Sequence, residues 1–148
     1  MNKRVVLDTN VLVSGLAHHL SPPGILYDAW QRGDFSLVCS PLILKELARA
    51  ADRLKVDPEA KRAAIETILE LSIMVHPFLI DDEIVPVEDR AVLGTAIAGA
   101  ADVFVTGDKA LLRLKQYARI PIMSPRVFLE DIKSEADRAK GNGGLAEW

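Results

Sequence analysis

The chain contains one cysteine, Cys39, so no intrachain disulfide can close and no all-cysteine metal site can form. Aromatic residues amount to 5%, too few for extended base stacking. Neither sign of charge dominates: 18 Lys+Arg stand against 21 Asp+Glu, a net charge of −3. That balance excludes retention of nucleic acid by bulk positive charge. Long apolar runs are missing as well. The longest uncharged stretch, Thr9 to Tyr27, is interrupted by His18, His19, Pro22, Pro23 and Gly24, whereas a spanning helix needs about 20 mainly apolar residues. Asp8 falls where the apolar region of a signal peptide would run. The expectation is a cytoplasmic protein in a reducing compartment, with no membrane association.

What is present is the composition of a folded domain: 148 residues, 49% apolar and 26% charged. One domain over residues 1–139 is expected, followed by a loose tail over 140–148 containing Gly141, Gly143, Gly144 and Trp148. Short apolar runs at Arg4 to Leu7, Ser36 to Cys39, Val103 to Val105 and Ile120 to Met123 read as strands covered on both faces, with a weaker strand near Val75. Ser40-Pro41, Asp57-Pro58 and Ser124-Pro125 each place a capping side chain before a proline, and predict three helix starts. After Pro41, residues Ile43, Leu47, Ala50 and Leu54 recur at helical spacing; after Pro58, Ala64, Ile65, Ile68 and Leu69 do the same. Val92, Leu93, Ala96 and Ile97 mark another helix beginning near Asp89. Strand–helix alternation of this kind predicts a three-layer α/β/α sandwich with a mostly parallel central sheet.

That architecture sends four acids to one rim. Asp8 ends the first strand and Asp108 follows Val103-Phe104-Val105-Thr106-Gly107; ligands bind outside the carboxyl ends of such strands. A helix feeding a parallel strand runs antiparallel to it, so Asp89 returns to the same edge. Glu46 sits one turn and a half into its helix, beside the apolar stripe rather than opposite it. Each acid alone is compatible with a helix cap or a favourable helix terminus. Gathered at about 4 Å, carboxylates repel by about 4 kcal/mol per pair at an effective dielectric of 20, so the group needs protons or a cation. Hard oxygen ligands without cysteine or histidine beside them favour Mg²⁺ or Mn²⁺ over zinc. One or two such ions would polarise a phosphate and activate water for in-line attack. His18, His19 and His76 form no evident acid–base pair.

The segments Val6-Leu7-Asp8-Thr9-Asn10-Val11-Leu12-Val13-Ser14-Gly15, Ser40-Pro41 with Lys45-Glu46-Leu47, Asp89 to Leu93, and Ala100 to Leu112 resemble, in order and spacing, the motifs of PIN-domain ribonucleases. The likeness runs from about Val5 to Met123. It implies metal-dependent cleavage of single-stranded RNA and kinship with VapC-like toxins of toxin–antitoxin pairs. It also implies an antitoxin partner and a homodimer. By position, Asp8, Glu46, Asp89 and Asp108 match the acidic quartet, and Asn10 and Thr106 its auxiliary polar residues. The residue after Lys109 is commonly acidic in that family and is Ala110 here, a departure that bears on how firmly a second ion is held and leaves the four principal acids intact.

The basic residues form two short stripes, Lys45, Arg49 and Arg53 on one helix and Lys109 and Arg113 on another. A solvated helix face is the ordinary explanation, while nearness to Glu46 and Asp108 makes these five candidates for the RNA backbone. Three alternatives stand beside the nuclease. A haloacid-dehalogenase-like phosphatase requires a second acid two positions after the first, where this chain has Asn10. A receiver-like phosphoacceptor requires an aspartate after the weak third strand. A non-catalytic binding module requires none of the acids.

Overall fold

The computed structural model describes the backbone of residues 2–146. The chain runs β1 (Arg4–Leu7), α1 (Thr9–Ala17), α2 (Pro22–Gln31), β2 (Ser36–Cys39), α3 (Pro41–Arg53), α4 (Pro58–Leu71), β3 (Ile73–Met74), α5 (Arg90–Ala98), β4 (Val103–Val105), α6 (Lys109–Leu114), β5 (Gln116–Tyr117), β6 (Ile120–Met123) and α7 (Pro125–Ala146). Six strands form a sheet in the order β3-β2-β1-β4-β6-β5. Every pairing is parallel except β5 with β6.

Successive strand residues point to opposite faces, yet Val5, Val6 and Leu7 are all buried, as are Val103, Phe104 and Val105. Both faces of the sheet are therefore covered by helices, as the continuous apolar runs predict. No helix among the described residues is long and apolar enough to cross a membrane. Cys39 lies in this core, where burial pushes its thiol up to about 11 and keeps it neutral.

The expected capping sites are used: Ser40 accepts from the Ile43 amide and Asp57 from the Ala60 amide, each with proline in the first turn. The same chemistry operates at Ser21-Pro22-Pro23, which the sequence suggests is part of a loop. Ser21 accepts from the Gly24 amide and starts α2, so only His18 to Ser21 connect the two helices. The weak third strand lies at Ile73–Met74 rather than on Val75, although the Val75 amide still donates to the Cys39 carbonyl at 2.9 Å. Of the stripe after Pro58, Ala64 and Ile68 are core whereas Leu69 is exposed.

α7 carries helical backbone through Ala146, over most of the stretch expected as a tail from Lys140, and Trp148 lies outside the described residues. The first half of α7 is anchored. Phe128 is fully buried in edge-to-face contact with Phe35, and Lys3 pairs with Asp131 at 3.1 Å and Glu135 at 2.6 Å.

Sheet order fixes where a ligand can enter. From β1 the chain moves outward through β2 and β3, then returns to build β4 and β6 on the other side. The order reverses between β1 and β4, and the crevice outside their carboxyl ends is the binding position of open parallel sheets.

Candidate active site

Asp8 follows β1 directly at that crevice, and its amide donates to the Val105 carbonyl at 2.9 Å. The residue is 8% exposed, and its side chain does not cap α1. Instead, Thr106 Oγ1 donates to Asp8 Oδ2 at 2.7 Å, and the Asp108 amide donates to the same hydroxyl at 3.0 Å. Thr106 thus ties the ends of β1 and β4 together and fixes the Asp8 carboxylate. Burial raises the Asp8 carboxyl above its ordinary value, assisted by the nearby negative charge of Asp108, while the bonds from Thr106 and the Thr9 backbone oppose the shift.

Asp108 does cap a helix. Its Oδ1 accepts from the Ala110 amide at 2.8 Å and the Leu111 amide at 3.4 Å. Asp89 stands at the amino end of α5 after a 3₁₀ turn over Val87–Asp89, and its side chain makes no capping bond. Partial burial, then the charges of Asp108 and Asp8, push its carboxyl up to about 6; a hydrogen bond to Asp108 and the charge of Glu88 add to the effect. Glu46 reaches the site from α3 and pairs with Arg49 at 3.2 Å.

All four acids line one cavity of about 300 Å³, together with Thr9, Asn10, Leu42, Arg53, Glu88 and Val92. The four come from the ends of β1 and β4 and from α3 and α5, so the rim deduced from strand order is realised. Asn10 is exposed in the cavity wall, and Thr106 lies buried just beneath. Of the five cationic candidates only Arg53 lines the cavity; Lys45, Arg49, Lys109 and Arg113 are exposed outside it. Glu88 is a fifth acid that sequence reasoning missed, although its place beside Asp89 is the available signal. Thr95 was missed too: its hydroxyl donates to buried Ser40 Oγ at 3.0 Å, joining α5 to the cap of α3 below the site.

The donor set suits a hard divalent cation. Every charged donor is a carboxylate, and the Asp8 and Asp89 carboxyls are raised first by burial and then by the negative charge of their acidic neighbours, both of which a bound cation would offset. Thr9 Oγ1 is a buried oxygen in the wall with no hydrogen-bond partner among the described residues. No three acidic, histidine or cysteine side chains of the described residues converge closely enough to enclose an ion. Magnesium keeps several waters and takes only one or two protein carboxylates, so an open set of acids is compatible with a hard divalent ion.

The role of Thr106 is testable. Thr106→Val preserves shape but removes the donor to Asp8 and the acceptor for Asp108. It is expected to lower stability by about 1–3 kcal/mol, the range for losing a buried bond to a charged group. Urea unfolding measures this; an unchanged midpoint would show that the hydroxyl does not carry the link.

An α/β domain with an acid-lined crevice at its switch point is a recognisable class, and the sequence defines it further. A PIN-domain family model matches residues 4–110, and the chain belongs to that family. The match spans Asp8, Glu46, Asp89 and Asp108. No curated protein matches significantly. Among solved structures, the fold is similar to a chain of the VapBC2 assembly from Rickettsia felis, whose crystal structure is bound to a DNA fragment from their promoter. The two share 16% identity with a TM-score of 0.54, over 82% of this chain and 98% of the other.

Proposed function

We propose that the protein is a metal-dependent endoribonuclease that cleaves single-stranded RNA, and that it is the toxin of a toxin–antitoxin pair. The observation that carries the nuclease reading is the convergence of four carboxylates from four elements on one cavity at the sheet's switch point. Family membership supports it. The fold shared with a VapBC2 chain supports the toxin reading; in it the chain pairs with an antitoxin protein and acts in the cytoplasm as a homodimer.

Asp8, Glu46, Asp89 and Asp108 are the residues that would hold Mg²⁺ or Mn²⁺. When bound, the cation supplies Lewis-acid polarisation of the phosphate and a lowered pKa for water. The chain's own residues prepare the site. Thr106 fixes the direction of Asp8, Asp108 Oδ1 caps α6, and Asp89 loses its proton on approaching neutral pH. The reaction is hydrolysis at phosphorus. Water adds, the 3′-oxygen leaves and takes a proton, and the products are a 5′-phosphate and a 3′-hydroxyl. Ala110 in place of an acid makes a single ion the simplest loading.

The test is incubation of the purified protein with a single-stranded RNA oligonucleotide, with Mg²⁺, with Mn²⁺ and with EDTA. Cleavage that requires the divalent ion supports the proposal; no cleavage, or cleavage indifferent to EDTA, overturns it.

A pH dependence follows. The Asp89 carboxyl binds its proton more tightly in the folded protein, at about 6, than in an unfolded chain. Its contribution to stability is therefore fully present below the ordinary carboxylate range and is lost as pH rises through about 6. With the proton gone, a bound divalent cation would neutralise the same carboxylate. The rise in Tm on adding Mg²⁺ should be larger at about pH 7.5 than at about pH 5. Equal rises would mean that proton and cation do not compete.

A further inference from the structure

Among the described residues, five carboxylates line the cavity and one cation joins them, Arg53. It is the last residue of α3, two turns beyond Glu46 on the same side of the helix. A helical side chain leans back toward the amino end, the direction in which Glu46 lies along α3. Its neighbour Arg49 is occupied by Glu46 at 3.2 Å, and none of the ion pairs formed among the described residues involves Arg53. A planar guanidinium with unspent donors, at the edge of an acidic cavity, is suited to a phosphate that must approach in spite of the carboxylates.

We propose that Arg53 positions the substrate strand by binding a phosphate next to the one that is cleaved. This inference rests on the nuclease reading and assigns to one residue a task that the sequence distributes over five. The other four cations are exposed outside the cavity and supply at most diffuse attraction. Arg53 fixes register, because its place in the wall is set by α3, the same helix that presents Glu46.

The experiment measures binding of a fluorescent single-stranded RNA oligonucleotide to Asp8→Asn protein over a range of salt concentrations, with and without Arg53→Ala or Arg53→Lys. Arg53→Ala is expected to weaken binding about tenfold and to make the plot of log K against log[salt] shallower by about 0.7, the value for one phosphate contact on a single strand. Arg53→Lys should restore the slope but only part of the affinity, since the charge returns without the planar fork. With Asp8 intact, Arg53→Ala should raise KM and leave kcat within about twofold. An unchanged slope and affinity would overturn the proposal, as would loss of kcat at constant KM. A fall in Tm with unaltered binding would make Arg53 a helix-end cation acting on the α3 dipole and would overturn it equally. The two readings fail separately. Wild-type protein that binds through Arg53 but cuts no RNA defeats the nuclease, whereas cleavage that ignores Arg53→Ala defeats this inference alone.

Discussion

Asp8→Asn is expected to lower divalent-dependent RNA cleavage by at least about a hundredfold, the scale of removing one group that stabilises transition-state charge. It should do so without unfolding the protein. Asparagine retains an oxygen to accept from Thr106 Oγ1, now 2.7 Å from Asp8 Oδ2, and keeps nearly the same volume in a buried position. The charge that disappears is one that the fold tolerates poorly, because burial and Asp108 both raise the Asp8 carboxyl. The metal-free variant should therefore match or exceed the Tm of wild type at neutral pH, while the Tm rise caused by Mg²⁺ shrinks. Opposed changes in activity and stability are the mark of a residue kept for function. Wild-type cleavage by Asp8→Asn would remove Asp8 from the site; a collapsed Tm would make its role structural.

Gly94→Ala should be the most damaging single methyl group near the site. Gly94 lies buried in α5, and the Phe78 amide donates to its carbonyl at 3.0 Å. A Cβ there would run into the Phe78 carbonyl oxygen, which is backbone and cannot rotate away. The segment it would displace carries Ile80 and Val85 into the core and leads to the turn bearing Glu88 and Asp89. Helix propensity alone favours alanine over glycine by about 1 kcal/mol, so the sign of the change is informative. We expect a net loss of about 3 kcal/mol, or about 10 °C in Tm for a chain of this size, with weaker divalent binding as Asp89 shifts. Gly107→Ala is the control, since a Cβ at Gly107 meets nothing within 4 Å. A stable Gly94→Ala protein would show that the loop repacks at little cost.

Much of the candidate site was legible in the sequence. Asp8 and Asp108 follow apolar runs too continuous to be anything but buried strands, and Asp89 precedes a helix that must return to the same edge. Glu46 announced itself as a charge beside an apolar stripe. The helix at Ser21-Pro22-Pro23 escaped because two prolines and a glycine look like a loop until the cap at Ser21 is recognised. The two-residue strand β5 carries no period at all; pairing with Ile120 and Pro121 creates it. The helical course of α7 beyond Lys140 runs against three glycines, whose propensity argues for a break.

By itself the sequence determined the alternation of strands and helices, and with it which acids reach the binding edge, because burial pattern and chain direction are local properties that accumulate along the chain. Partners were decided elsewhere. That Thr106 holds Asp8 across 98 positions, that Glu46 is matched to Arg49 while Arg53 enters the cavity, and that Glu88 joins the acids all depend on how α3, α5 and the β1–β4 edge pack together. Periodicity says which face of an element is buried; it holds no information on the distance between two elements. Only packing converts four acids on one rim into a single cavity in which two of the carboxyls, Asp8 and Asp89, are partly desolvated and raised.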